Sequence, residues 1–146
     1  MKTINLIIAC IALLSPLPAA AQGHSAHADH PDGKVIRETT VDGYHLTYRV
    51  IDMAEKMAEM EMKMDMAATH HLMLYVNNPD GVPLAGATVG FLVEGPAAAD
   101  QKVMAMRMKE GYGADVDLGR PGKYTIHAKA LAGDAKLIDR FIYQVE

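Results

Sequence analysis

The chain has 146 residues, 50% of them hydrophobic and 22% charged, with 14 basic against 18 acidic side chains. That is one domain's length with enough apolar material for a core, which excludes a wholly disordered polyelectrolyte. A net charge of −4 and no run of Lys and Arg exclude a broad nucleic-acid footprint. Methionine is the outlier, at 11 copies against two Phe and no Trp, and a single cysteine excludes an intrachain disulfide.

The start carries Lys2, an apolar run from Leu6 to Leu14, then Pro16, Pro18 and Ala19-Ala20-Ala21. A positive start, a short apolar core and a small-residue site predict a secretory signal peptide over residues 1–21. The run is too short for a bilayer span, and no later stretch reaches that length. Cleavage after Ala21 removes Lys2 and Cys10, so the mature chain has no thiol and is one charge more negative. The expectation is a periplasmic or secreted protein without a transmembrane segment. A lipoprotein reading of Ile7-Ile8-Ala9-Cys10 is weaker, because the apolar run continues past Cys10.

Residues 22–34 are small, polar and histidine-bearing, and predict a flexible leader. From there the domain runs over 35–146. Tyr44 to Ile51 alternates, with Leu46, Tyr48 and Val50 on one parity. Met53 to Ala68 is methionine-rich and ambiguous. Its residues form helices well, and Glu59 and Lys63 can pair along one. Alternation of Met60, Met62, Met64 and Met66 with Glu61, Lys63 and Asp65 favours a strand or extended loop there, after a short helical turn. His70 to Val76 reads as a strand closed by the turn Asn77-Asn78-Pro79-Asp80-Gly81.

Ala87 to Val93 resumes extended character, and Val103 to Met108 alternates with Lys102, Arg107 and Lys109 as solvated members. Gly111 to Gly113 fits a turn, with Ala114 to Leu118 pairing back. Tyr124, Ile126 and Ala128 alternate on a further strand, and Leu137 to Val145 is the last. About seven short strands between turn signals predict an all-β, immunoglobulin-like β-sandwich. The expected core holds Leu72, Leu74, Val76, Val89, Phe91, Tyr124, Ile126 and Phe141.

Two ligand-rich zones stand out. Thioethers are soft, neutral ligands suited to Cu(I) and need no deprotonation. Alternation sets Met60, Met62, Met64 and Met66 on one side, with His70, His71 and Met73 close behind. Adjacent strand residues face opposite ways, so one of His70 and His71 joins that face easily. Met104, Met106 and Met108 form a second alternating set that can share the patch. In the leader, His24, His27 and His30 suit Cu(II), zinc or nickel, with Asp29 and Asp32 nearby. Cleavage after Ala21 also makes His24 the third residue, and a free amine, two amides and its imidazole can wrap Cu(II) or Ni(II). The competing readings are methionine as filler of an irregular core, a methionine surface for a partner protein, and a leader with incidental histidines. His45 and His127 read as strand-surface histidines.

No phosphate-binding glycine loop, HExxH or nucleophile elbow occurs, and the serines are Ser15 in the signal and Ser25 in the leader. The expectation is therefore binding rather than catalysis.

The stretches THHLMLYVNNPDG, VPLAGATVGFLV and MRMKEGYGADVDLGRPGKYTIHAKA, between His70 and Val145, resemble the YtkA-like family of exported bacterial domains. The resemblance implies an immunoglobulin-like sandwich. Some members of that family look linked to copper or respiratory-oxidase biogenesis, which implies copper as cargo and a periplasmic or membrane-bound metalloprotein as partner. A copper-binding or copper-delivering protein is the functional expectation; the alternative is a metal-free structural or interaction module.

Overall fold

The computed structural model describes residues 33–61, 68–96 and 99–146. Eight strands occur among them: β1 (Lys34–Val41), β2 (Tyr44–Asp52), β3 (His70–Asn77), β4 (Thr88–Glu94), β5 (Gln101–Arg107), β6 (Tyr112–Val116), β7 (Gly122–Ala132) and β8 (Ala135–Val145). One short helix, α1 (Met53–Glu59), sits between β2 and β3. All pairings are antiparallel, in the order β1-β2-β3-β6-β5-β4-β7-β8. This is the expected all-β sandwich with one strand more than the sequence suggested, curled until it is nearly a closed barrel.

β5 belongs to both sheets. Its first part pairs with β4, as in Ala105 with Val89, and its end pairs with β6, as in Met106 with Gly113. One parity of each strand fills the space between. Leu46, Tyr48, Leu72, Leu74, Val76, Val89, Phe91, Val93, Tyr124, Ile126 and Leu137 are all buried there. Burying each such side chain contributes about 1.5–3 kcal/mol, which holds the sheets together without a disulfide. The eight core residues expected from the sequence are all in this cluster.

The free edges, β1 and β8, are tied by side chains. Arg37 donates from Nε to Asp139 Oδ2 at 2.8 Å and from Nη2 to Asp139 Oδ1 at 2.9 Å. The same guanidinium lies 5.1 Å from the Phe141 ring centroid, and Phe141 packs at 4.8 Å on Tyr48. Burial raises the Asp139 carboxyl, but the hydrogen bond and charge of Arg37 and the Arg140 N–H outweigh it, holding it below its ordinary value. Burial also pushes the Tyr48 phenol well above its usual range. At the start of β7, Tyr124 donates its hydroxyl to Arg120 O at 2.9 Å, a tyrosine corner of the kind that fixes chain reversals in such sandwiches.

Two local expectations need correction. Met60 is not in a strand: it caps the C-terminal end of α1, where its N–H reaches Lys56 O, and Glu61 turns the chain away at φ 54°. Helix propensity wins over alternation there because Asp52 caps the start, accepting from Ala54 N at 2.8 Å and Glu55 N at 3.2 Å. Met62, Met64 and Met66 lie outside the described residues, as does Lys63; within α1, Glu59 meets Lys56 at 3.7 Å. Gly113 lies within β6, since the turn closes earlier through Met108 N to Gly111 O at 2.8 Å. Lys102, Arg107 and Lys109 are exposed as expected; Met104, Met106 and Met108 are exposed too, whereas Val103 and Ala105 pack against the core.

Candidate metal centre

The alternation that sends Leu72 and Leu74 into the core sends His71 and Met73 to the other face of β3. The register of β3, β6 and β5 then sets their neighbours. His71 pairs with Asp115, Met73 pairs with Gly113, and Gly113 pairs in turn with Met106. Paired residues in an antiparallel sheet share a face, so Met73 and Met106 flank a position that has no side chain.

That bare position is a cradle. A Cβ on Gly113 would overlap His71 Nε2 and stand 2.6 Å from Met73 Sδ. One imidazole nitrogen and one thioether sulfur therefore converge on the same point above the Gly113 backbone. Met73 is 5% exposed even though it faces away from the core. Met104, Met106 and Met108 line the recess with His71, Gly113 and Asp115, and Met106 is 73% exposed at its rim.

Asp115 orients the imidazole. Its Oδ1 lies 2.6 Å from His71 Nδ1. A carboxylate accepts, so Nδ1 donates to it, and an ion that binds at this ring would take Nε2. That nitrogen is buried and has no hydrogen-bond partner. An unpartnered buried polar atom is costly, and ligating His residues commonly have their other nitrogen held by a carboxylate in this way. The recess is thus lined by the thioethers of Met104, Met106 and Met108, with the His71 nitrogen and Met73 buried beside it. Among the described residues no group of three or more His, Cys, Asp and Glu is placed to hold an ion. Hard divalent ions lack a ligand set there, while a soft ion meets ligands of its own kind.

The other expected ligands fall elsewhere. His70, on the opposite parity, pairs with Asp52 and Val116, and its Nδ1 lies 2.7 Å from Thr69 Oγ1. It borders recesses beside α1 and does not join His71, because consecutive strand residues point apart. Met60 is 53% exposed beyond α1. Met62, Met64, Met66, His24, His27 and His30 lie outside the described residues. His45 approaches Thr40 at 3.1 Å, and His127 approaches Glu94 at 2.8 Å, as expected of surface strands. Asp115 and Gly113 escaped sequence reasoning. Asp115 is separated from His71 by 44 residues, and only the β3–β6 register joins them.

No family model and no curated protein matches the chain. Solved structures do. A copper-bound variant of FetP from uropathogenic Escherichia coli strain F11 superposes with a TM-score of 0.54 at 11% identity, over 74% of this chain and 93% of that one. The as-isolated FetP of the same strain, expressed recombinantly in the E. coli periplasm, gives 0.53 at 11% identity over 75% and 92%. The chain is thus a β-sandwich protein of the architecture that FetP shares, and the likeness is one of fold. Among the described residues no helix is long and apolar enough to cross a membrane.

Proposed function

We propose that this protein binds copper in the periplasm and carries or buffers it there, without catalysis. The observation that carries the reading is the unpartnered His71 Nε2, on a ring held by Asp115 and packed with Met73 Sδ over the bare Gly113 backbone. Such a donor set suits Cu(I), which prefers few soft ligands and needs no anionic one. The likeness to FetP, whose variant was seen with copper, supports the choice of metal. The export signal supports the compartment. Membership of the YtkA-like family belongs to the same proposal and rests on the stretches between His70 and Val145.

Met60, Met62, Met64 and Met66 would then collect further Cu(I), and His24, His27 and His30 would take Cu(II) at the leader. A periplasmic or membrane-bound metalloprotein is the proposed exchange partner. Competition titrations of the purified chain with Cu(I), Cu(II) and Zn(II) test the reading. Cu(I) should be held most tightly by the folded domain, and no preference over Zn(II) would overturn it.

A second reading is a metal-free interaction module. Ile138 and Ile142, exposed on β8 at 55% and 68%, favour it, because they offer an apolar face on an edge strand. Replacing His71 and Met73 separates the two, since docking through β8 would survive that change.

A further inference from the structure

We infer that Met106 is the third ligand of the Gly113 site and the ligand through which the ion is exchanged. The inference rests on the copper reading and adds to it how the ion enters and leaves.

Three observations lead there. Met73, Gly113 and Met106 form one row across β3, β6 and β5. Paired residues share a sheet face, so the two methionines stand on the same face, one on either side of a residue that has no side chain. They are not equivalent. Met73 is sealed at 5% exposure, whereas Met106 is 73% exposed and makes no contribution to the core. Packing does not explain an exposed methionine in a strand, since Met earns its place in proteins by filling gaps. Two more exposed methionines stand on the same side of the same chain segment. Met104 and Met108 line the recess, and Met104 Sδ lies across the next bare spot of the sheet face, 3.2 Å from where a Cβ of Gly90 would be.

The arrangement is a buried pair of ligands, His71 Nε2 and Met73 Sδ, closed by an exposed thioether at the solvent edge. Exchange then needs no redox step. The Cu(I)–S bond to Met106 breaks as one to an incoming thioether forms, the ion keeps its single charge, and no proton moves. Met104 and Met108 offer neighbouring sulfurs for the ion in transit. The partner this fits is a copper protein that presents its own methionine sulfurs at its surface.

The test compares the wild-type chain with Met106→Leu, Met73→Leu and His71→Gln, each loaded with one equivalent of Cu(I). Leu conserves volume, and position 106 is exposed, so Met106→Leu keeps the fold. X-ray absorption should give one nitrogen and two sulfurs for the wild type, and one nitrogen and one sulfur for Met106→Leu. Competition with bathocuproine disulfonate should show affinity reduced about tenfold or more in Met106→Leu, a change of about 1.4 kcal/mol per decade. Met106→Leu with unchanged affinity and both sulfurs retained overturns the inference while leaving the copper reading intact. A wild type that takes no Cu(I) overturns the copper reading itself.

Discussion

Asp115 Oδ1 lies 2.6 Å from His71 Nδ1, and this one contact decides which imidazole nitrogen is available to a metal. It joins β3 to β6 on the outer face, while the backbone register between those strands puts Gly113 under the other nitrogen. The same carboxylate therefore sets both the tautomer and the direction of the ring.

Replacing Asp115 by Asn leaves the residue's size unchanged but lets either ring nitrogen be protonated. Asp115→Asn should weaken Cu(I) binding by about 10–100-fold, as loss of an orienting partner does at other metal sites. Because Asp115 is exposed, urea denaturation should show stability within about 0.5 kcal/mol of the wild type.

Filling the cradle should cost stability as well as binding. A Cβ at Gly113 overlaps His71 Nε2 and crowds Met73 Sδ. Gly113→Ala should cost about 1–3 kcal/mol in a denaturant series, as overpacking does, and abolish tight Cu(I) binding even though every ligand is still present. Calorimetry on the folded variant checks both.

The Arg37–Asp139 clasp should make stability pH-dependent. The Asp139 carboxyl sits below its ordinary value of 3.8 in the folded chain, so its contribution is complete above that value. It is lost as the pH falls through the lower folded value, where the carboxylate takes up a proton. Asp139→Asn should cost about 2–3 kcal/mol at neutral pH, leaving Arg37 without its partner. Urea midpoints of the two proteins should converge as the pH drops below about 3.8, the ordinary carboxyl value.

The tyrosine corner gives a fold test free of the metal question. Tyr124 is buried, and its hydroxyl donates to Arg120 O at 2.9 Å and accepts from Arg120 N at 3.3 Å. Tyr124→Phe should cost about 1–2 kcal/mol, with Cu(I) affinity unchanged, because the corner and the metal recess share no residue.

The strands were legible where one face is apolar. Leu72, Leu74 and Val76 announce β3, and Tyr124, Ile126 and Ala128 announce β7, since burial of alternate positions leaves a period of two in the sequence. β1 was missed because Lys34–Val41 is an edge strand whose residues are mostly polar or half-exposed, so no alternation survives. His71 and Met73 could be named as ligands from chemistry, yet which methionines meet them could not. That answer lies in the β3–β6–β5 register, which hydrogen bonds and core packing settle together. Met104, Met106 and Met108 were recognised as a set that could share a patch, but alternation alone does not say which strand lies beside them.

The most direct test is a competition titration of the purified chain with Cu(I) against bathocuproine disulfonate, comparing wild type with the His71→Leu/Met73→Leu double variant. The wild type should retain one tightly held ion that the double variant gives up, with the sandwich intact by circular dichroism. A double variant that holds Cu(I) as firmly as the wild type would contradict the assignment of the ion to the space above Gly113.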